Sequence, residues 1–215
     1  MNRPPDPTPI YRILHFDNLS IHLQRDALHA PNHTPNDALV YRTIHDQDVQ
    51  ASRRVTRVTC GPGGTVHDYV PFYLGPRSPM LFRLHTGYRV QYAEGQEPLI
   101  YLVSSGQAVA AAGFRFVFSN GHGLAAFTRW FDDLNKLGEV DWEAVYATYW
   151  NDTVDDPDRQ RRKQAEFLVH RSLPWRHIER IGVLNQRIRA LVDGVLDRFP
   201  GRHRPPVGIE PGWYY

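Results

Sequence analysis

The apolar positions of this chain fall in short runs whose spacing changes from one segment to the next. Leu19, Leu23 and Ala27 recur at intervals of four behind Asp17 and Asn18, which cap helices well, so a helix is predicted there. No period holds from 31 to 49; that stretch reads as a long polar loop with one helical turn, and loops of that length are often functional. Gly61-Pro62-Gly63-Gly64 marks a turn. Segments 69–74, 80–85, 99–103 and 114–119 are rich in aromatic and branched residues between Gly, Pro and Ser, which predicts strands.

Ser104 and Ser105 can cap a short Ala-rich helix that ends at Gly113. Leu124, Phe127, Phe131 and Leu134 keep helical spacing as far as Gly138, and Asp141 caps a helix through Trp142, Val145, Tyr146 and Tyr149. Residues 151–158 form an acidic loop, 167–173 and 178–184 read as strands, and Asn185 opens a last helix carrying Ile188, Leu191, Val192, Val195 and Phe199. Strands and helices mix without a steady βαβ rhythm, so the fold class is α+β. With no internal repeat, residues 1–215 read as one domain, and the proline-rich residues 1–9 as an extended arm.

Composition narrows the function classes. A hydrophobic content of 41% with 22% charged residues fits a soluble globular protein. No apolar run approaches the roughly 20 residues that span a bilayer. The first ten residues lack the apolar stretch of a signal peptide, and a lone Cys60 suits a reducing compartment, so a cytoplasmic protein is expected. The net charge of +2 is too balanced to indicate a nucleic-acid partner; such a site must come from local clustering.

Several familiar chemistries are missing. There is no P-loop, no dinucleotide-binding GxGxxG, no HExxH and no GxSxG. His29 and His33 have a metal-like spacing that no Cys or carboxylate pattern completes, so no metal site is expected. Three features remain. His67-Asp68-Tyr69-Val70-Pro71-Phe72-Tyr73 is followed by Pro76-Arg77-Ser78-Pro79-Met80-Leu81, where Arg77 and Ser78 between prolines suggest a rigid polar tip. Arg159 to Lys163 is a basic run leading to Glu166 at the start of an apolar strand; it reads either as a solvated face or as a carboxylate beside a phosphate-binding surface. Ser52-Arg53-Arg54 follows the long polar loop and by itself reads as surface charge.

Together these segments resemble the DarT family of ADP-ribosyltransferases. The run HDYVPFY…PRSPML is the most specific part. The resemblance extends through Tyr11-Arg12-Ile13-Leu14-His15-Phe16-Asp17-Asn18-Leu19, Phe116-Val117-Phe118-Ser119-Asn120-Gly121-His122, Trp150-Asn151-Asp152, Arg162-Lys163-Gln164-Ala165-Glu166 and Gly212-Trp213-Tyr214-Tyr215. It implies an ADP-ribosyltransferase fold of two packed, mostly antiparallel sheets around an NAD⁺ cleft with flanking helices. It also implies a toxin that transfers ADP-ribose from NAD⁺ to a base of single-stranded DNA, with a DarG-type macrodomain antitoxin as partner. Thymidine is the base favoured; guanosine or an RNA acceptor, and a DNA-binding module without catalysis, are the alternatives.

The resemblance assigns catalysis to Glu166 and Arg53, with Arg54 as the neighbouring alternative. Many members carry His-x-Thr where this chain has Arg12-Ile13-Leu14, so the backbone there is expected to hold NAD⁺, with the Arg12 side chain reaching a ribose or phosphate. Ile21, His29 and Arg53 complete the expected NAD⁺ contacts. The expected DNA contacts are Arg77, Ser78, Pro79, Met80, His122, Trp150, Asn151, Arg159 and Arg162. Residues 122–165 form the expected substrate-facing loop. A carboxylate at position 166 suits the positive charge that develops on ribose as its bond to nicotinamide breaks. A guanidinium suits the cofactor's diphosphate, and a base taken out of the stack suits single-stranded DNA.

Overall fold

The computed structural model describes residues 3–88 and 92–215, so the first two residues of the expected arm lie outside the described residues. In chain order the elements are β1 (Pro9–His15), α1 (Leu19–Arg25), β2 (Ala27–His29), α2 (Gln47–Val55), β3 (Tyr69–Tyr73), α3 (Pro79–Thr86), β4 (Leu99–Ser105), α4 (Gly106–Ala111), β5 (Phe116–Ser119), β6 (Trp130–Phe131), α5 (Trp142–Tyr146), α6 (Arg159–Lys163), β7 (Glu166–His170), β8 (Ser172–Pro174), β9 (Arg180–Val183), α7 (Gln186–Asp197) and β10 (Val207–Ile209).

The strands form one eight-stranded sheet, ordered β10-β9-β4-β1-β3-β7-β5-β6, and a two-stranded β2-β8 sheet. Pairing is antiparallel except between β9 and β10. The large sheet is nearly divided at its middle. β1 pairs with β4 along its whole length, whereas it meets β3 at Tyr11 and Tyr73 alone. Beyond that contact the two strands splay, and residues of both face one cavity. The expected pair of packed sheets is therefore realised as two halves of a split sheet, with the small β2-β8 sheet beside them.

Alternation along β7 explains how the fold presents its functional carboxylate. Phe167 and Val169 enter the main core with Phe72, Phe118 and Trp175, while Leu168 joins a second cluster with Tyr69 and Val117. Glu166 shares the parity of Leu168, opposite in phase to Phe167, so it leaves the main core free of charge.

Four expected elements differ. Residues 80–85 form helix α3 rather than a strand, because the Ser78 hydroxyl accepts the Leu81 N–H at 3.2 Å and Pro79 occupies the first helical position. Residues 124–134 are not a helix: Phe131 pairs with Phe118 in the sheet, and Phe127 is exposed. The loop after residue 31 has its helical turn at Pro31–His33 but ends earlier than expected, where Asp46 caps α2 by accepting from the Asp48 and Val49 N–H groups. Tyr149, expected on the helix that Asp141 opens, is 86% exposed beyond the end of α5. The proline arm is docked at its inner end, with the Thr8 N–H donating to the Gln107 side chain at 2.8 Å. The caps at Ser105, Asp141 and Asn185 form as expected.

Candidate active site

Arg53 in the last turn of α2 and Glu166 at the start of β7 meet below the split in the sheet. Their contact is a two-pronged fork: Nη1 donates to Oε1 at 2.9 Å and Nη2 donates to Oε2 at 2.8 Å. Arg53 is 8% exposed and Glu166 3%. Burial alone would raise the Glu166 pKa, but the charge and hydrogen bonds of Arg53 outweigh it and hold the carboxyl below its ordinary value. The same pairing keeps Arg53 protonated more firmly than usual, against the opposing effect of its own burial. The structure thus selects Arg53 over exposed Arg54 as the partner of Glu166.

A short turn after β5 supports this carboxylate. The Glu166 N–H donates to the Ser119 hydroxyl at 3.1 Å, and that hydroxyl donates to the Gly121 carbonyl at 2.7 Å. The Gly123 N–H reaches Glu166. The His122 N–H donates to the Arg161 carbonyl at 2.9 Å, and the His122 carbonyl accepts from the Thr128 hydroxyl at 2.7 Å. Gly121 permits close packing: a Cβ there would lie 2.2 Å from Nη1 of Arg161, whose guanidinium is held by both oxygens of Asp158.

The pair lies in the wall of a cavity of about 660 Å³, a size suited to a substantial organic ligand. Of the residues assigned to NAD⁺, Arg12, Ile13, Leu14 and His29 line it. Ile21 does not; it is buried on α1. The Arg12 Nη1 donates to the Pro71 carbonyl at 3.0 Å, while its buried Nε has no partner. Burial lowers the Arg12 pKa to about 10, Tyr41 opposes the shift and Arg53 adds to it. Among the described residues Arg12 has no carboxylate partner, so its charge is available to an anionic group of a ligand. Burial, followed by the charge of Arg12, pushes nearby His22 down to about 3, which keeps it neutral.

The loop between β2 and α2 contributes a further part of the wall. Asn18 binds both sides of the Arg42 peptide, accepting its N–H at 2.7 Å and donating to its carbonyl at 2.8 Å. This brings Tyr41, Arg42 and His45 to the cavity. Sequence reasoning took Asn18 for a cap and gave no role to Tyr41, His45 or Ser119. Of these, Ser119 lay inside a run that carries the family resemblance, Phe116 to His122.

The expected DNA contacts divide. Pro79, Met80 and His122 line the cavity. Arg77 and Ser78 do not form a projecting tip: Arg77 folds over the Tyr215 ring at 4.8 Å and Ser78 is buried as the cap of α3. Trp150 is 8% exposed and donates from Nε1 to the Tyr215 hydroxyl at 2.7 Å, which leaves no open face for stacking, while Asn151 beside it is exposed. The basic run is not an uncompensated surface. Arg162 pairs with Asp141 and Asp156, Arg159 with Asp156, and Lys163 is buried on the carbonyls of Val145 and Ala147. These contacts pin the acidic loop to α6. No group of three metal-binding side chains occurs among the described residues, and no helix there is long and apolar enough to cross a membrane.

The family model described as ssDNA thymidine ADP-ribosyltransferase, DarT, matches residues 11–215. The chain belongs to the DarT family. The DNA ADP-ribosyl transferase of Thermus sp. (strain 2.9) is 46% identical to it over 211 residues, covering 98% of each protein. The solved structure of Thermus sp. 2.9 DarT in complex with ADP-ribosylated ssDNA superposes with a TM-score of 0.93 at 45% identity and full coverage of both chains. The same protein in complex with NAD⁺ gives a TM-score of 0.89 at 44% identity, covering 99% of this chain and 100% of the other. The split sheet and the cavity beside the Arg53–Glu166 pair are thus features of a DarT-family fold.

Proposed function

We propose that this protein transfers ADP-ribose from NAD⁺ to thymidine in single-stranded DNA and releases nicotinamide. The observation that carries the reading is the buried fork between Arg53 and Glu166 in the wall of a ligand-sized cavity, in a chain of the DarT family. NAD⁺ supplies the ADP-ribosyl group and the leaving group. Glu166, held ionised, stabilises the positive charge that develops on the ribose. Arg53 fixes the carboxylate in one orientation. Arg12 meets the diphosphate with the donor that the protein leaves unpartnered. Met80 and His122, which line the same cavity, are the residues we assign to the DNA base. The base must be unpaired to reach the ribose, which suits single-stranded DNA.

Such an activity acts on the genome of its own cell, where NAD⁺ and replicating DNA meet in the bacterial cytoplasm. The family resemblance supports a DarG-type macrodomain antitoxin as the partner that removes the modification.

The test is incubation of wild-type protein and a Glu166→Ala variant with NAD⁺ and a mixed-sequence single-stranded oligonucleotide. Mass spectrometry should find an ADP-ribose increment on a thymidine, absent with the variant. Intact NAD⁺ and unmodified DNA in every reaction would refute the transferase reading.

A further inference from the structure

Four separate stretches of chain, around Arg77, Gln96, Trp150 and Tyr215 itself, meet at the Tyr215 side chain and its peptide. The Tyr215 hydroxyl accepts from Nε1 of Trp150 at 2.7 Å and donates to the Arg77 carbonyl at 2.6 Å, with the Ser78 carbonyl at 3.4 Å. Its ring carries the Arg77 guanidinium at 4.8 Å and meets the Phe82 ring edge-on at 5.2 Å. Phe82 in turn packs edge-on against the Trp150 ring at 5.7 Å. The main chain is fixed as well. The Tyr215 N–H donates to the buried Gln96 side chain at 2.9 Å, and the Gln96 amide donates back to the Tyr215 main-chain oxygen.

The connection from β3 to α3 needs such a hold. Arg77 has a φ of 54°, a left-handed backbone that a residue with a side chain adopts at a cost. Both ends of the residue are held by phenols: its N–H donates to the Tyr101 hydroxyl at 3.3 Å, and its carbonyl accepts from Tyr215. Tyr101 donates to the Trp213 carbonyl at 3.1 Å, so the same C-terminal segment backs both bonds. The next residue, Ser78, caps α3, whose Met80 and Arg83 line the cavity. Trp150 opens the loop that runs to α6 and then to Glu166 at the start of β7.

We propose that Tyr215 is a positioning residue for the DNA strand, an assignment that rests on the transferase reading above. Its hydroxyl joins the start of α3, which carries Met80, to the loop after Trp150, which carries Asn151, and so fixes the spacing of two elements assigned to the strand. Tyr215 lies outside the cavity wall and acts through these elements, without touching either substrate. Among the described residues none of its hydrogen bonds reaches β1, β2 or α2, which carry the residues assigned to NAD⁺. One phenol therefore governs the DNA side and leaves the cofactor side unaltered.

The test compares wild-type protein, Tyr215→Phe, Trp150→Phe and the double variant. Transfer is measured with the single strand varied at saturating NAD⁺ and with NAD⁺ varied at saturating strand, beside a melting curve for each protein. Tyr215→Phe should raise the KM for the oligonucleotide by about 5- to 50-fold, the loss of one or two buried hydrogen bonds, with kcat and the KM for NAD⁺ close to wild type. Trp150→Phe should raise the same KM by less. The double variant should be no worse than Tyr215→Phe, because both changes break one bond. A contact that served folding alone would lower the active fraction, and with it kcat, and would leave both KM values unchanged. A folded Tyr215→Phe protein with the wild-type KM for the oligonucleotide would overturn the proposal. So would an equal rise in the KM for NAD⁺, or single effects that add in full. These outcomes leave the transferase reading standing, since wild-type protein still forms the adduct. If wild-type protein forms none, that reading has failed and the assignment to Tyr215 falls with it.

Discussion

The Arg53 guanidinium and the Glu166 carboxylate, 113 residues apart in the chain, meet through two parallel hydrogen bonds in a buried site. Removing one partner leaves an uncompensated buried charge, so Arg53→Ala should destabilise the fold by about 3–5 kcal/mol. The double change Arg53→Met with Glu166→Met should recover most of that loss while remaining inactive. Thermal unfolding and adduct formation, measured on the same preparations, check the two effects separately. A double variant no more stable than Arg53→Ala would contradict this.

Arg12 should show opposite effects on stability and binding. Among the described residues its guanidinium has no carboxylate partner and its Nε no hydrogen-bond partner. Arg12→Met should therefore leave the free protein as stable as wild type or more so, since an unpaired charge near the interior is costly. It should weaken NAD⁺ binding by about 10- to 100-fold, the loss of one charge-assisted hydrogen bond. Calorimetric titration and a melting curve together decide it; unchanged affinity would remove Arg12 from the cofactor site.

The turn behind Glu166 tolerates no side chain at Gly121, because Arg161 and its Asp158 clamp fill the space. Gly121→Ala should cost about 1–3 kcal/mol through overpacking and lower kcat more than it raises the KM for NAD⁺, since His122 and Gly123 move with the turn. Equal kcat in variant and wild type would show that the turn does not position the reacting groups.

Acid should weaken the protein through His22. Burial holds this ring neutral in the fold down to about pH 3, whereas the unfolded chain protonates it near pH 6.5. The unfolded state therefore binds the extra proton between those values, and stability falls as pH is lowered through that window, by about 1.4 kcal/mol per pH unit at most. Chemical denaturation at successive pH values should show a slope that is smaller in His22→Gln. Parallel curves for the two proteins would mean that His22 is charged in the fold.

Much of this architecture was legible in local sequence. The caps at Ser105, Asp141 and Asn185 depend on side chains that bond to their own helix, and each formed. The family resemblance, rather than local composition, singled out Glu166 and Arg53, and the fold brings these two side chains together. Long-range geometry was not legible. That Asn18 would grip the peptide of Arg42, 24 residues on, or that Arg162 would pair with Asp141, 21 residues before it, depends on contacts between separate segments of the chain. The aromatic content of residues 80–85 suggested a strand, but the Ser78-Pro79 start and the burial of Leu81 and Leu84 at helical spacing decided for a helix. α5 ends at Tyr146, before Tyr149 and Trp150, and beyond it Tyr149 is exposed whereas Trp150, expected to contact DNA, is buried.

The most direct test of the central assignment is single-turnover transfer to a thymidine-containing strand by Glu166→Gln, compared with wild type. The amide nearly matches the carboxylate in shape but removes its charge, so its folding and its binding of NAD⁺ and DNA must be measured beside the rate. The predicted result is a folded variant that binds both substrates and transfers at least about 10²- to 10³-fold more slowly. A variant that transfers ADP-ribose at the wild-type rate would show that the charge of Glu166 does not drive the reaction.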